Sequence, residues 1–204
     1  RQHAIDAALA HFDDPEGFFE DLKARVAVPT ESQNAARLAD CYAYLEEDMR
    51  DAFEALGYVC RVYDNPFEGC GPILLATRWE GDGLPTVLGY GHGDTVLGQE
   101  GQWKDNLDPW TLMKLGDKVY GRGTADNKAQ HSTHIAALRA VLDARGNLGF
   151  NHKFIIETGE ENGSKGLKDL VAREKDAFAA DVYFASDGPR FDVAKPNLTL
   201  GNRG

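Results

Sequence analysis

The chain has 204 residues, 42% of them hydrophobic, which is enough for one sizeable core but short for two complete domains. Its 33 acidic and 22 basic residues give a formal net charge of -11, which argues against nucleic acid or an anionic membrane as a partner. No stretch approaches the roughly 20 apolar residues of a membrane span. Cys41, Cys60 and Cys70 form neither an even-numbered disulfide framework nor a metal-binding spacing, so a cytoplasmic location is expected.

The N-terminal segments have helical patterns. An alanine-rich stretch from His3 to His11 can form a first helix. A second helix is predicted from Glu16 to Arg25, because Asp14 can cap it and Pro15 can occupy its first position.

A longer helix is predicted to begin at Asn34 and to end at Gly57. Its apolar residues recur at steps of three and four, which indicates a stripe that packs on the core. The stripe consists of Leu38, Tyr42, Leu45, Met49, Phe53 and Leu56.

After residue 57, predicted strands alternate with helices. Strands are predicted at 58–63, 72–79, 84–92, 152–158 and 181–186, and helices at about 127–145 and 167–178. The turn at residues 80–83 is predicted to join the second strand to the third as a hairpin, and Gly116-Asp117 marks a second hairpin. This alternation predicts an α/β fold, with a mostly parallel or mixed sheet that is sandwiched by helices.

The strand that ends at His92 is the centre of the predicted site. It is short, apolar and β-branched, and a buried strand of this kind ends where ligands bind. His92 and Asp94 are two residues apart and share one face of an extended chain. Asp94 can therefore hydrogen-bond the ring nitrogen that His92 does not give to a metal. Alone, such a pair in a glycine-rich loop is more often part of a turn.

Three further segments place acidic side chains at similar positions. Asp126 follows a Gly-Arg-Gly segment and directly precedes a helix, and Glu160 and Glu161 follow a strand. Asp187 follows another strand. An isolated Glu-Glu pair is usually a solvated acidic surface, but the recurrence of such groups at strand ends favours a site.

These motifs occur in the order His92-Gly93-Asp94, Gly121-Arg122-Gly123 with Asp126, Glu160-Glu161, and Ser186-Asp187-Gly188. Together they resemble the dinuclear zinc metallopeptidase family that contains aminoacylase, acetylornithine deacetylase, carnosine dipeptidase and glutamate carboxypeptidase. The resemblance runs from about Leu22 to the last residue. One departure is Ala129, where many relatives have Gly, and it affects no ligand.

The resemblance implies a site for two divalent ions. Zn²⁺ suits the nitrogen and oxygen ligands best, with Co²⁺ or Mn²⁺ as substitutes. Asp126 would bridge the ions, and His92 and Asp187 would complete one of them. Glu161 would bind the other ion together with a histidine from beyond the end of this chain.

Glu160 is the expected general base, since Glu161 can be fixed on metal while Glu160 points at the water between the ions. Asp94 supports catalysis by orienting the histidine. The expected reaction is metal-dependent hydrolysis of a small peptide or an N-acyl amino acid at its amide bond, as in a dipeptidase, carboxypeptidase or deacylase. The alternative is a non-catalytic metal-binding relative or scaffold, which could keep the ligands and lose the base.

The resemblance also implies that residues 1–204 are the N-terminal portion of a metallopeptidase catalytic domain. In relatives, a lid and dimerisation domain and then a C-terminal catalytic segment follow, and neither is expected within this chain. Residues 195–204 match the strand that leads into the lid. A homodimer through the lid is expected for the full-length protein, and residues 1–204 alone are expected to be inactive.

Several other residues could be given a role. His131 and His134 lie one turn apart on a helix, but no matched motif includes them, so core or surface histidines are favoured. Arg122 and Lys128 could bind a substrate carboxylate or act as structural counter-charges. In the loop after the strand at 84–92, Trp103 and Trp110 could line the pocket or pin the loop. Asp105 and Asp108 in the same loop could be metal ligands by residue type, but turn formation is favoured for both.

Overall fold

The computed structural model describes residues 1–188, 192, 194, 195 and 197. The α-helices in this part of the chain are α1 (Gln2–Asp13), α2 (Phe18–Ala27), α3 (Leu38–Ala43), α4 (Arg50–Glu54), α5 (Lys128–Arg145), α6 (Leu167–Arg173) and α7 (Lys175–Phe178). The strands are β1 (Val59–Tyr63), β2 (Ile73–Arg78), β3 (Thr86–His92), β4 (Met113–Leu115), β5 (Lys118–Tyr120), β6 (Asn151–Glu157) and β7 (Val182–Ala185). None of the described helices is long and apolar enough to cross a membrane.

The described strands form a central five-stranded sheet in the order β1-β2-β6-β3-β7, and β4 and β5 form a separate hairpin. β2 runs antiparallel to both of its neighbours, β1 and β6, whereas β6, β3 and β7 run parallel to one another. The sheet is therefore mixed, and helices pack on both of its faces. This architecture confirms the predicted fold class.

The predicted hairpin between β2 and β3 is wrong. β6 lies between these two strands, antiparallel to β2 and parallel to β3. The turn at residues 80–83 instead carries the chain past the beginning of β6. There the side-chain oxygen of Asn151 accepts hydrogen bonds from the main-chain N–H groups of Glu80 and Gly81 at 2.8 and 3.1 Å. The turn signal is local, and it does not reveal that a later strand enters between the two.

α2 begins at Phe18 rather than at Glu16, so its predicted start is also wrong. The carboxylate of Asp14 accepts a hydrogen bond from the N–H of Glu16 at 2.9 Å, and its main-chain oxygen accepts one from Gly17 at 3.0 Å. Asp14 therefore closes a turn ahead of the helix instead of capping it.

The predicted long helix forms as a continuous run of helical segments from residue 35 to residue 54, and its geometry changes from α to π and back within the run. Asn34 caps it by accepting a hydrogen bond from the N–H of Ala36 at 3.1 Å. A π-helical segment, Tyr44–Met49, separates α3 from α4. Gly57 follows the run with φ of 77°, the left-handed conformation that glycine adopts without strain.

The π-helical segment explains a difference in the buried stripe. Leu45, Met49, Phe53 and Leu56 are buried as predicted, but Leu38 and Tyr42 are only partly buried. Cys41 and Tyr44 are buried in their place. Because a π-turn holds one more residue than an α-turn, the face upstream of it is offset from the pattern downstream.

Two hydrophobic cores lie on opposite faces of the sheet. The core beneath the run from α3 to α4 and beneath α5 includes Tyr44, Leu45, Met49, Phe53, Leu74, Ile135, Phe154 and Ile156. The core beneath α6 and α7 includes Ile73, Leu75, Leu88, Tyr90, Ile155, Leu170 and Phe178. Successive residues of β6 alternate between the two cores, as the period of a strand requires.

The sheet positions the predicted site because β3, β6 and β7 run parallel and their carboxyl ends meet at one edge. His92, at the end of β3, pairs with Glu157 at the end of β6. The short helical turn Glu160–Asn162 follows β6, and Asp187 follows β7. Asp126 stands two residues before α5.

Cys41, Cys60 and Cys70 are free, which agrees with the absence of a disulfide framework. The predicted strand at residues 195–204 lies largely outside the described residues.

Candidate metal centre

A histidine nitrogen and two carboxylates converge at the ends of β3 and β7 and at the start of α5. His92 Nε2 lies 2.8 Å from Oδ1 of Asp126 and 3.9 Å from Oδ2 of Asp187. One ligand atom from each of the three side chains lies within 4.8 Å of the others. His92 is fully buried, while the side chains of Asp126 and Asp187 are 62% and 26% exposed, so the group is open to solvent on its acidic side.

His92 is held through its other ring nitrogen. Nδ1 lies 3.0 Å from the main-chain oxygen of Asp94 and 3.3 Å from its Oδ1, and Asp94 is fully buried. With Nδ1 engaged in this way, Nε2 is the nitrogen that faces the two exposed acids. Burial lowers the pKa of His92, but the hydrogen bond and charge of Asp94, with the charges of Asp126 and Asp187, raise it to about 9 overall.

Asp94 also contacts the turn that carries the two glutamates. Its Oδ1 and Oδ2 accept hydrogen bonds from the main-chain N–H groups of Glu160 and Glu161 at 3.2 and 3.1 Å. One buried carboxylate thus ties His92 to this turn. Oε2 of Glu160 lies 3.9 Å from His92 Nε2. Glu161 is partly buried and lies outside the group of three ligand atoms found in the described part of the chain.

The donor set fits a divalent cation. An imidazole nitrogen and carboxylate oxygens, without a thiolate, are ligands that Zn²⁺, Co²⁺ and Mn²⁺ accept. Burial raises the pKa of Glu160 and of Glu161, and the charges of Asp94 and Asp126 raise both further. A cation held among these acids would relieve their mutual repulsion.

A further buried acid, Glu157, contacts residues on both sides of the site. Glu157 is 2% exposed, and its Oε1 accepts hydrogen bonds from the hydroxyl groups of Tyr90 and Ser164, each at 2.7 Å. Tyr90 belongs to β3 and Ser164 follows the turn, so Glu157 links the turn to the strand that carries the histidine. No sequence signal singles out Glu157, because a charged residue at a strand end is ordinarily exposed.

Asn127 is a second residue that sequence reasoning missed. It is fully buried beside Asp126. Its Oδ1 accepts a hydrogen bond from the main-chain N–H of His92 at 3.2 Å, and its Nδ2 donates one to the main-chain oxygen of Ser186 at 3.1 Å. From sequence, an Asn at the start of a helix is interpreted as an ordinary N-cap, which hides this arrangement.

Three other candidates, Lys128, His131 and His134, are fully or partly buried and have partners inside the protein. Lys128 is fully buried. Its Nζ donates hydrogen bonds to the main-chain oxygens of Arg25, in α2, and Val28, directly after it, at 2.8 and 2.6 Å. His131 Nε2 lies 2.6 Å from the hydroxyl oxygen of Tyr44. His134 Nε2 is hydrogen-bonded to the hydroxyl group of Ser186. These contacts give the three residues structural partners, and none of the three belongs to the group of converging ligand atoms found in the described part of the chain.

The loop between β3 and β4 is pinned by its own side chains. The indole N–H groups of Trp103 and Trp110 donate hydrogen bonds within the loop at 2.8 and 2.6 Å. Asp108 accepts one from the main-chain N–H of Trp110 at 2.8 Å, and Asp105 has a φ of 57°, so both are turn residues. Arg122 donates to a main-chain oxygen of the loop at 2.8 Å.

Comparison with known proteins shows the family of this chain. The family model described as peptidase family M20/M25/M40 matches residues 88–198, which is more than half of the chain and includes all six predicted site residues. The chain belongs to peptidase family M20/M25/M40. This membership confirms the resemblance drawn from the order of the motifs.

Relatives of this M20/M25/M40 chain include dipeptidases. The Beta-Ala-His dipeptidase of Mus musculus is 41% identical over 136 residues, which are 65% of this chain and 27% of that protein. The cysteinylglycine-S-conjugate dipeptidase of Corynebacterium striatum is 38% identical over 121 residues, which are 59% of this chain and 26% of that protein.

A solved structure, that of human carnosine dipeptidase 1, superposes on this M20/M25/M40 chain with a TM-score of 0.83 and 30% identity. The match covers 92% of this chain and 41% of the human one. The chain thus spans less than half the length of the relatives it matches.

Proposed function

We propose that this M20/M25/M40 chain forms the metal-binding part of an enzyme that hydrolyses the amide bond of a peptide or an N-acyl amino acid. The supporting observation is the convergence of His92 Nε2 with Asp126 and Asp187, with Glu160 Oε2 3.9 Å from the same nitrogen. A bound divalent cation would polarise the scissile carbonyl and lower the pKa of water at the site.

Residues of this chain would bind the metal, and others hold those residues in place. His92, Asp126 and Asp187 would bind one ion, and Asp94 keeps the imidazole in the tautomer whose Nε2 faces the two acids. We further propose that Asp126 would also hold a second ion, which Glu161 would bind together with a histidine from another part of the full-length protein. Zn²⁺ is the proposed metal, with Co²⁺ or Mn²⁺ as substitutes.

Glu160 is the proposed general base. Its carboxylate lies beside the ligand group without belonging to the three converging ligand atoms. Burial raises its pKa, which strengthens it as a proton acceptor. The carboxylate would take the proton of the attacking water and then deliver it to the leaving amine, so that the residue ends the reaction in its starting state.

The proposed substrate is a small peptide or an N-acyl amino acid. The two named relatives act on dipeptides with different side chains, so the shared feature is a short substrate rather than a particular side chain. A dipeptidase activity is therefore the first candidate, followed by carboxypeptidase and deacylase activities.

We also propose that residues 1–204 are the N-terminal portion of a catalytic domain, since they span less than half the length of the relatives. The full-length protein would add a lid that forms a homodimer, and a final catalytic segment. A cytoplasmic location is part of the same proposal.

Metal analysis and activity assays of the dialysed full-length protein test this function. We expect two divalent ions per chain and hydrolysis of at least one member of a panel of dipeptides and N-acetyl amino acids. A chelator should abolish this hydrolysis, and added Zn²⁺, Co²⁺ or Mn²⁺ should restore it. Bound metal without hydrolysis of any panel member would indicate a non-catalytic relative. Absence of bound metal would refute the proposal, and one ion per chain would remove the bridging role from Asp126.

A further inference from the structure

Asn127 occupies the N-cap position of α5, yet its side chain does not cap the helix. An Asn at this position ordinarily accepts a hydrogen bond from a main-chain N–H of the first helical turn. Here Oδ1 accepts from the main-chain N–H of His92 at 3.2 Å, and Nδ2 donates to the main-chain oxygen of Ser186 at 3.1 Å. A local stabilising contact is replaced by contacts to His92, the last residue of β3, and to Ser186, which follows β7. Such a departure from the local pattern is typical of a functional position.

These two hydrogen bonds join the three segments that carry the ligand group. His92 is bonded through its own N–H, Asp126 precedes Asn127 in the chain, and Asp187 follows Ser186. A carboxamide is planar and carries both an acceptor and a donor, so it can hold two main chains that present opposite groups. Asn127 is fully buried, and water therefore does not compete for these bonds.

The orientation of the amide is itself fixed by its other neighbours. His131 Nδ1 lies 3.4 Å from Oδ1 of Asn127, and His131 Nε2 lies 2.6 Å from the hydroxyl of Tyr44. Burial raises the pKa of Tyr44 and lowers that of His131, so both groups are neutral. The tautomer of His131 in which Nε2 accepts a hydrogen bond from the Tyr44 hydroxyl has its ring proton on Nδ1, facing Oδ1 of Asn127. On the other side, Nδ2 is hydrogen-bonded to the side-chain oxygen of Gln130.

The amide of Asn127 packs closely against Gly91 of β3. A Cβ at Gly91 would lie 3.0 Å from Oδ1 of Asn127 and 3.0 Å from Cβ of His131. A larger residue at position 91 would push the amide away from the N–H of His92. The start of α5 can therefore approach β3 closely because residue 91 is a glycine.

We propose that Asn127 is a positioning residue that sets the spacing of His92, Asp126 and Asp187, and through that spacing the affinity of the site for a divalent cation. The inference rests on the proposed function, because it requires these side chains to bind metal. Removing the amide of Asn127 leaves the three metal-binding side chains unchanged, but it removes the contacts that hold their segments together.

The test compares Asn127→Ala with Asn151→Ala in the full-length protein. Asn151 is 1% exposed and also bonds main-chain groups through both amide atoms, but at the opposite end of β6. Zn²⁺ affinity is measured by competition with a chromophoric chelator, and stability by the urea midpoint of the metal-free protein. We expect both variants to lower the midpoint. Asn127→Ala should also weaken Zn²⁺ binding by about 10–100-fold, whereas Asn151→Ala should leave it unchanged.

Asn127→Ser separates positioning from helix stability, because a serine can cap α5 but cannot reach both main chains. We expect its urea midpoint to recover towards that of the wild type while its Zn²⁺ affinity stays reduced. The absorption spectrum of the Co²⁺-loaded variant, which reports on the positions of the ligands, should differ from that of the Co²⁺-loaded wild type. Wild-type affinity in Asn127→Ser, or equal losses of affinity in Asn127→Ala and Asn151→Ala, would overturn the inference. Failure of the wild-type protein to bind Zn²⁺ would instead overturn the proposed function.

Discussion

Oδ1 of Asp94 lies 3.3 Å from Nδ1 of His92, and both side chains are fully buried. The same carboxylate accepts hydrogen bonds from the main-chain N–H groups of Glu160 and Glu161. A proposed ligand and the proposed base are therefore positioned by one group. Because electrostatic interactions are strong in a buried environment, a change in the charge of this group is felt at both.

Asp94→Asn tests this arrangement. The amide keeps the shape of the side chain, but it removes the charge that stabilises the imidazole, and it turns an NH₂ group towards an N–H of the turn. We expect Zn²⁺ affinity to fall by about 10–100-fold. Asp64→Asn is the control, because Asp64 accepts a hydrogen bond from Tyr42 in an exposed pair away from the site. Equal Zn²⁺ affinity of the two variants would contradict the role given to Asp94.

Adjacent amide substitutions separate the base from a ligand. Glu160→Gln should keep the metal and lower kcat by about 10²–10⁴-fold, because an amide cannot accept the proton of the water. Glu161→Gln should instead weaken metal binding, and excess metal should restore part of its activity. The two variants change neighbouring residues by the same chemistry, so each is the control for the other. Near-normal turnover of Glu160→Gln at saturating metal would show that another residue is the base.

The fold class could be predicted from the sequence because the signals for it are local. The apolar stripe of the long helix and the alternation of strands and helices both follow from residue spacing. The order of the strands could not be predicted in this way. The position of β6 between β2 and β3 depends on pairing between residues far apart in the chain, and a turn signal at residues 80–83 carries no information about it.

The site shows the same division. His92, Asp126 and Asp187 stand beside glycine-rich loops at strand or helix ends, which marks them in the sequence, and the structure brings them together. Asn127 and Glu157 have no such mark. Their importance arises from contacts with His92, Tyr90 and other residues that only the folded chain brings near them.

His152 gives a prediction for stability against pH. It is 6% exposed, and Nδ1 lies 2.7 Å from the hydroxyl of Tyr58. Burial lowers its pKa from 6.5 to about 4. Below pH 6.5 the unfolded chain therefore binds a proton that the folded protein does not, and stability falls as the pH falls towards 4. We expect this single group to remove about 3 kcal/mol of the free energy of unfolding across that window.

Urea unfolding of the metal-free protein in a chelator, measured from about pH 7 to about pH 4, checks this expectation. His152→Gln should flatten the dependence on pH by the contribution of His152. Tyr58→Phe keeps the buried imidazole but removes its hydrogen bond, so it should lower stability while keeping most of the pH dependence, which burial causes. A slope that is identical in the wild type and His152→Gln would show that His152 does not contribute.

Tyr90 and Glu157 provide a pH effect of the opposite sign. Burial raises the pKa of Glu157, whereas the hydroxyl of Tyr90 stabilises its ionised form. Tyr90→Phe should therefore raise the pKa of Glu157 further. A folded-state pKa above the unfolded value lowers stability as the pH rises through it, because the unfolded chain releases its proton first.

We expect Tyr90→Phe to cost about 1.5–3 kcal/mol at neutral pH and less at about pH 4.5, because the ionised fraction of Glu157, which the Tyr90 hydroxyl stabilises, grows as the pH rises. Urea unfolding at the two pH values measures the difference, with Tyr42→Phe as the control for loss of a hydroxyl that donates to an exposed carboxylate. A cost that is the same at both pH values would contradict the coupling between the Tyr90 hydrogen bond and the ionisation of Glu157.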